Sequence, residues 1–236
     1  MLKYVLYIAF ALSACGRAEP DDTERTPTDE WAAGTDCDGL LWSGLAAASG
    51  EAVDLRSARD SKGAWHRRPL SYGECYPAEA KSTISRDMFV GLLAGLVAQR
   101  DLDAIDKVLR YAASHFNVMG IGDDRVLFSP NLVGLYARAA VSLGGTEWSA
   151  LAAVTPVLLG PTEDYGTHLQ LVEIATYWLI VPGPLPVHIR AAAEYTAVNN
   201  PADALAQAVG CLVDVLGACE KADALLASHS YIPPSY

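Results

Sequence analysis

The chain has 236 residues, of which 51% are hydrophobic and 19% charged, and its formal net charge at pH 7 is −11. An acidic surface is repelled by the dense negative charge of nucleic acid and of anionic headgroups, so no nucleic-acid partner is expected. The length suffices for one domain with a full core or two small ones, and the helical patterning described below favours one.

At the amino terminus Lys3 supplies a short positive start, Tyr4 to Leu12 is almost wholly apolar, and small residues lead up to Cys15. That order is the one of an export signal, and its core is far shorter than the roughly 20 residues a permanent membrane helix needs. Leu12-Ser13-Ala14-Cys15 resembles the lipobox of bacterial lipoproteins. The resemblance is confined to the first fifteen residues. It implies that residues 1–14 are a removed signal peptide, that the Cys15 thiol carries diacylglycerol, and that palmitate or a similar chain caps the new terminus. The mature chain then sits in the cell envelope, held to a membrane by lipid. Gly16, where an aspartate would signal retention, implies the outer membrane if the host is Gram-negative. The alternative is an ordinary signal peptide with a chance cysteine.

From Arg17 to Glu30 the chain is rich in Asp, Glu, Thr and Pro. With so little apolar surface to bury, residues 15–30 are read as a disordered tether that lets the domain range roughly 20 Å from its anchor. Loss of Lys3, the one charged residue before Cys15, takes the mature charge from −11 to −12. Residues 31–236 are assigned to the helical domain.

Asp38 to Ala48 reads as a helix, and residues 50–81 as a long irregular segment pinned by Cys75. Within it, Arg59 to Pro69 gathers a basic cluster, Trp65, His66, Arg67 and Arg68 in an otherwise acidic protein. A tryptophan face stacks on sugars, arginine forks grip carboxylates or phosphates, and histidine moves protons near neutral pH, so this loop could line an anionic-ligand site. Read structurally, Trp65 plugs the edge of the core and the arginines pair with surface acids.

Thr83 to Gln99 carries an apolar stripe through Met88, Phe89, Leu92, Leu93, Leu96 and Val97, and predicts a helix. Asp87 in its first turn, beside Arg86, could act as general acid or base on a charged substrate; equally, an acid there complements the positive helix end. A second helix follows at once, with Leu102, Ile105, Val108, Leu109, Ala112 and Phe116 on the buried side. His115 to Arg125 then forms a glycine-rich join whose Asp123 and Asp124 could serve as a carboxylate pair or meet a hard cation, although EF-hand spacing is absent. The plainer reading is a solvated turn.

Ser129 as N-cap, Pro130 at the first helical position and Gly144-Gly145 as the stop frame the next helix. Further helices are predicted over Glu147 to Val154, Thr167 to Ile180, Pro186 to Val198, Pro201 to Leu216 and Glu220 to Ser228. Asn200-Pro201 repeats the cap-then-proline signature. Tyr165 and His168 open one of these helices with Glu173 further along it, and all three could sit at one mouth with Asp87; a lone histidine at a helix entry is also commonly structural. Tyr177, Trp178 and His188 are assigned to packing. Val53 to Leu55 and Val126 to Phe128 are too short to be convincing strands.

With Cys15 given to the anchor, Cys37, Cys75, Cys211 and Cys219 remain, an even set with three possible pairings. Sequence proximity favours Cys37 with Cys75 and Cys211 with Cys219. Eight residues of unbroken helix would hold the latter alpha carbons roughly 12 Å apart, so a bond requires a break, for which Gly217 is the natural place. Free core cysteines are the alternative; zinc is disfavoured by the absence of Cys-x-x-Cys or a spaced histidine pair.

The sum is an all-α array of antiparallel helical hairpins with a long irregular N-terminal segment. It faintly resembles an incomplete alpha/alpha toroid, a fold of many glycan hydrolases and lyases. No nucleophile elbow, phosphate-cradling Gly-Lys loop, His-Glu-x-x-His or dinucleotide fingerprint is present, and no cofactor is expected. Two expectations follow. One is a non-catalytic envelope lipoprotein that binds a protein or glycan partner. The other is a glycan hydrolase or lyase using Asp87 with Asp123 or Asp124, assisted by His168, with Trp65 and Arg67 gripping an anionic sugar.

Overall fold

The structure, a computed structural model, describes residues 39–48, 50–69, 71, 84–120, 126–155, 165–181 and 184–227. It is all-α, with nine helices among the described residues and one two-residue antiparallel ladder. Cys15, Cys37, Cys75, Asp123 and Asp124 lie outside the described residues. The chain divides into two compact units, Gly16–Val157 and one containing Leu158–Tyr236.

In the first unit, α1 (Gly39–Ala48) packs on α2 (Arg86–Ala98) through glycine. A Cβ on Gly91 would run into the backbone of Leu41, with the Leu41 alpha carbon at 2.7 Å, and one on Gly95 would meet the Gly44 carbonyl oxygen at 2.7 Å. The two backbones therefore touch directly, which no larger residue permits. Leu55, in a short 3-10 turn (Leu55–Ala58), fills the notch over Gly95. Phe89, Phe128 and Tyr136 meet edge to face, with centroids 5.1 to 6.4 Å apart. The Tyr136 hydroxyl donates to the Phe89 carbonyl at 2.6 Å, tying α4 (Pro130–Ser142) to α2, and burial pushes its phenol well above the usual tyrosine range.

Between these lies α3 (Leu102–Ser114), capped by Asp101, whose carboxylate accepts from the Ala104 amide at 3.0 Å. Asp103 with Lys107 and Asp106 with Arg110 pair one turn apart on its outer face. The helix stops before Phe116, which was expected on the buried side. Phe116 is instead 90% exposed, because it and Asn117 take left-handed backbone angles (φ 55° and 60°) that turn the chain into β1 (Val118–Met119). β1 pairs with β2 (Val126–Leu127) in the register Val118 to Leu127 and Met119 to Val126. Ser129 and Pro130 open α4 as the sequence predicts, the Ser129 hydroxyl accepting from the Leu132 amide, and Gly144 ends it at φ 105°. A 3-10 turn over Thr146–Trp148 precedes α5 (Ser149–Val154).

The second unit contains α6 (Tyr165–Ile180), α7 (Val187–Asn199), α8 (Ala204–Leu212) and α9 (Ala218–Ala227). α8 begins three residues later than Asn200-Pro201 suggests. Asp203 is the cap, accepting from the Leu205 and Ala206 amides, while Asn200 closes α7 and donates to the Thr196 carbonyl at 2.9 Å. Gln207, almost fully buried, donates to the carbonyls of Ala197 and Asn200 and so fastens α8 to the end of α7. Cys211 and Cys219 are bonded, with alpha carbons 4.7 Å apart. The break that allows this begins four residues ahead of Gly217. Val213 to Gly217 form the turn, with Asp214 (φ 62°) as well as Gly217 (φ 76°) in the left-handed region. Tyr177 is buried as expected, whereas His188 is exposed.

Candidate functional site

The segment from Arg56 to Arg67 folds back on itself. Arg59 and Trp65 form an isolated antiparallel bridge, the Asp60 amide donates to the Ala64 carbonyl, and the His66 amide donates to the Ala58 carbonyl, both at 2.9 Å. Gly63, at φ 90°, makes the reversal; a side chain there would crowd the Arg59 guanidinium at 2.9 Å. Asp60 sits inside the turn and accepts from the Lys62 amide (2.8 Å), the Ala64 amide (2.9 Å) and His66 Nε2 (3.2 Å). Burial acts to raise its pKa, but the bonds from His66, Ala64 and Lys62 together outweigh it, so the carboxyl stays below its ordinary value.

Trp65 is 1% exposed. Its ring is part of the core, so it offers no open face on which a sugar could stack, and this corrects the stacking role expected of it. Its Nε1 hydrogen is enclosed and has no acceptor among the described residues, a state that costs about 1–3 kcal/mol. Arg67 is likewise drawn in, 9% exposed, and its carbonyl accepts from the Leu40 amide at 2.6 Å, which anchors the loop's end to α1.

Where this loop meets the head of α3, Trp65, Arg56, Arg59, Asp60, Asp103 and Lys107 line a cleft of about 90 Å3. Arg56 forks onto Asp101, the Nε bond measuring 2.6 Å, and also reaches Asp103 at 3.1 Å; Lys107 joins Asp103 at 2.6 Å. The Arg56 bond is the main cause that holds the Asp101 carboxyl below its usual range, against the opposing effect of burial. Arg59 differs. It reaches the Gly63 carbonyl at 3.4 Å and makes no ion pair among the described residues. The cleft thus sets Arg59, a guanidinium without an ion pair among the described residues, beside the engaged carboxylates of Asp60 and Asp103 and beside Trp65, whose enclosed indole N–H is unmet.

Other predicted site residues fall elsewhere. Asp87 is half-buried in the first turn of α2, accepts a short hydrogen bond from the Ser85 hydroxyl, and does not line the cleft; Arg86 beside it is exposed. Tyr165 and His168 fall in the first turn of α6, in the second unit, and Glu173 on the same helix is 7% exposed. Sequence reading named the Arg59 to Pro69 stretch but missed Arg56, Asp103 and Lys107. The Asp103/Lys107 spacing of four was a visible signal for that pair. Among the described residues no group of three or more His, Cys, Asp or Glu could hold a metal ion, and no helix is long and apolar enough to cross a membrane. Compared with models of protein families, with curated proteins and with solved structures, the chain matches none.

Proposed function

We propose that the chain is a lipid-anchored lipoprotein of a bacterial cell envelope, whose helical domain binds a protein or glycan partner without transforming it. The observation that carries the anchor is the order Lys3, apolar core, Leu12-Ser13-Ala14-Cys15. The Cys211–Cys219 bond supports the compartment, because structural disulfides persist where thiols are not kept reduced. A binding role is supported by the arrangement at the Trp65 cleft, where Asp60 and Asp103 are engaged by His66, backbone amides, Arg56 and Lys107. Carboxylates held in that way serve positioning better than proton transfer at neutral pH.

Two measurements test this reading. Cells expressing the chain and fed radioactive palmitate should label it, and should fail to label Cys15→Ala; label on both forms, or on neither, overturns the anchor. The purified full-length protein should be retained on peptidoglycan or on acidic polysaccharide with no new reducing ends or unsaturated products. Product release would replace the binding reading by the hydrolase or lyase alternative built on Asp87, Asp123, Asp124 and His168.

A further inference from the structure

Three features of the Trp65 cleft are not explained by packing. Arg59 has no carboxylate on its guanidinium among the described residues; its long contact goes to a carbonyl, that of Gly63, at 3.4 Å. Trp65 is 1% exposed, yet its Nε1 hydrogen has no acceptor among the described residues. Lys107, 40% exposed at the side chain, shares Asp103 with Arg56 and keeps donors to spare. All three residues line the same cavity of about 90 Å3, a space on the order of three molecules of liquid water.

We propose that this cleft is a binding site for a single carboxylate group on an acidic ligand, gripped by Arg59 and Lys107, with the Trp65 indole N–H donating to one of its oxygens. The site deepens the partner-binding reading above and rests on it, but it does not depend on the lipid anchor. A carboxylate suits the wall better than a phosphate does. Its flat pair of oxygens matches the guanidinium fork, and a doubly charged anion would be repelled by Asp60 and Asp103 in the same wall. The cavity admits the acidic group alone, so the rest of the ligand stays outside. In the closed loop the indole N–H is shielded from water. A ligand oxygen reaches it as the Arg59 side chain leaves the Gly63 carbonyl for the carboxylate.

The test uses the full-length chain in non-ionic detergent with nitrogen-15 in its five tryptophans, so that each indole N–H gives one resonance. Trp65→Phe identifies the signal of Trp65. Titration with sodium galacturonate, and in a second arm with an N-acetyl, C-amide glutamate, up to about 50 mM should move that signal saturably. Whichever binds more tightly tells a glycan from a peptide source. Galacturonate methyl ester should leave it in place. Arg59→Gln should weaken the titration by about tenfold or more, as expected for loss of a charged hydrogen bond, while the other four indole signals report an intact fold. Lys107→Gln should weaken it less. No saturable shift with either acid, an equal shift with the ester, tighter binding of inorganic phosphate, or an unchanged titration in a folded Arg59→Gln overturns the site. Retention on peptidoglycan that survives in Arg59→Gln would leave the broader partner reading standing while removing this one.

Discussion

Asp101 serves two structures at once: it caps α3 through the Ala104 amide and it receives the fork of Arg56 from a turn 45 residues earlier. Asp101→Asn keeps a competent cap but loses the charged bond from Arg56, and should lower stability by about 1 kcal/mol at neutral pH, read as a shift in the urea midpoint. The sign with pH follows from the lowered carboxyl. Stabilisation by such a group is present above the unfolded pKa near 3.9 and is lost as pH falls through the lower folded value, so the native and variant midpoints should converge as pH is taken below the unfolded value. A difference that stays constant below that value would contradict the assignment. Gly91→Ala presses a methyl into the backbone of Leu41, which cannot swing aside as a side chain would, and should cost about 3 kcal/mol in the same assay. Neither effect was legible in the sequence. A cap at Asp101 is a local pattern, but its partner Arg56 is distant in the chain, and the spacing of Gly91 and Gly95 acquires meaning only once α1 lies across it. Trp65 was legible in part: of the two roles its loop suggested, the plug at the edge of the core agrees with its burial and the sugar-stacking face does not.

Helices were legible wherever the apolar stripe and the punctuation agreed. Ser129-Pro130 and Gly144 frame α4 as expected because cap, proline and glycine act through the backbone of their own few residues. Asn200-Pro201 misled for an equally local reason. Asp203 offers a better-placed carboxylate to the Leu205 and Ala206 amides, and Asn200 finds its use at the end of α7. The Cys211–Cys219 bond was anticipated from the proximity of the two cysteines, with a helix break near Gly217 as its consequence; the break itself starts at Val213, and Asp214 as well as Gly217 adopts a left-handed angle. Closing so short a loop restricts the unfolded chain by about 2–3 kcal/mol. Replacing both cysteines by serine should lower stability by that amount and leave the helical circular dichroism at low temperature unchanged; an unaltered urea midpoint would show that the turn is held by packing alone.

Composition and periodicity sufficed for the fold class, because most of the nine helices among the described residues bury a face and leave its repeat in the apolar positions. The site was less legible. The loop carrying Trp65 drew attention by its chemistry, but the cleft arises where that loop meets the head of α3, a meeting no stretch of sequence describes. The function proposed above rests on an address more than on the core, and the signal proposed for that address lies in residues 1–15. The most direct measurement is mass spectrometry of the amino-terminal peptide from protein recovered in the membrane fraction. The account predicts a peptide beginning at Cys15 and heavier by a thioether-linked diacylglycerol, released from the membrane only by detergent. A chain that begins at Met1, or at an unmodified residue, and stays in the aqueous fraction would contradict it.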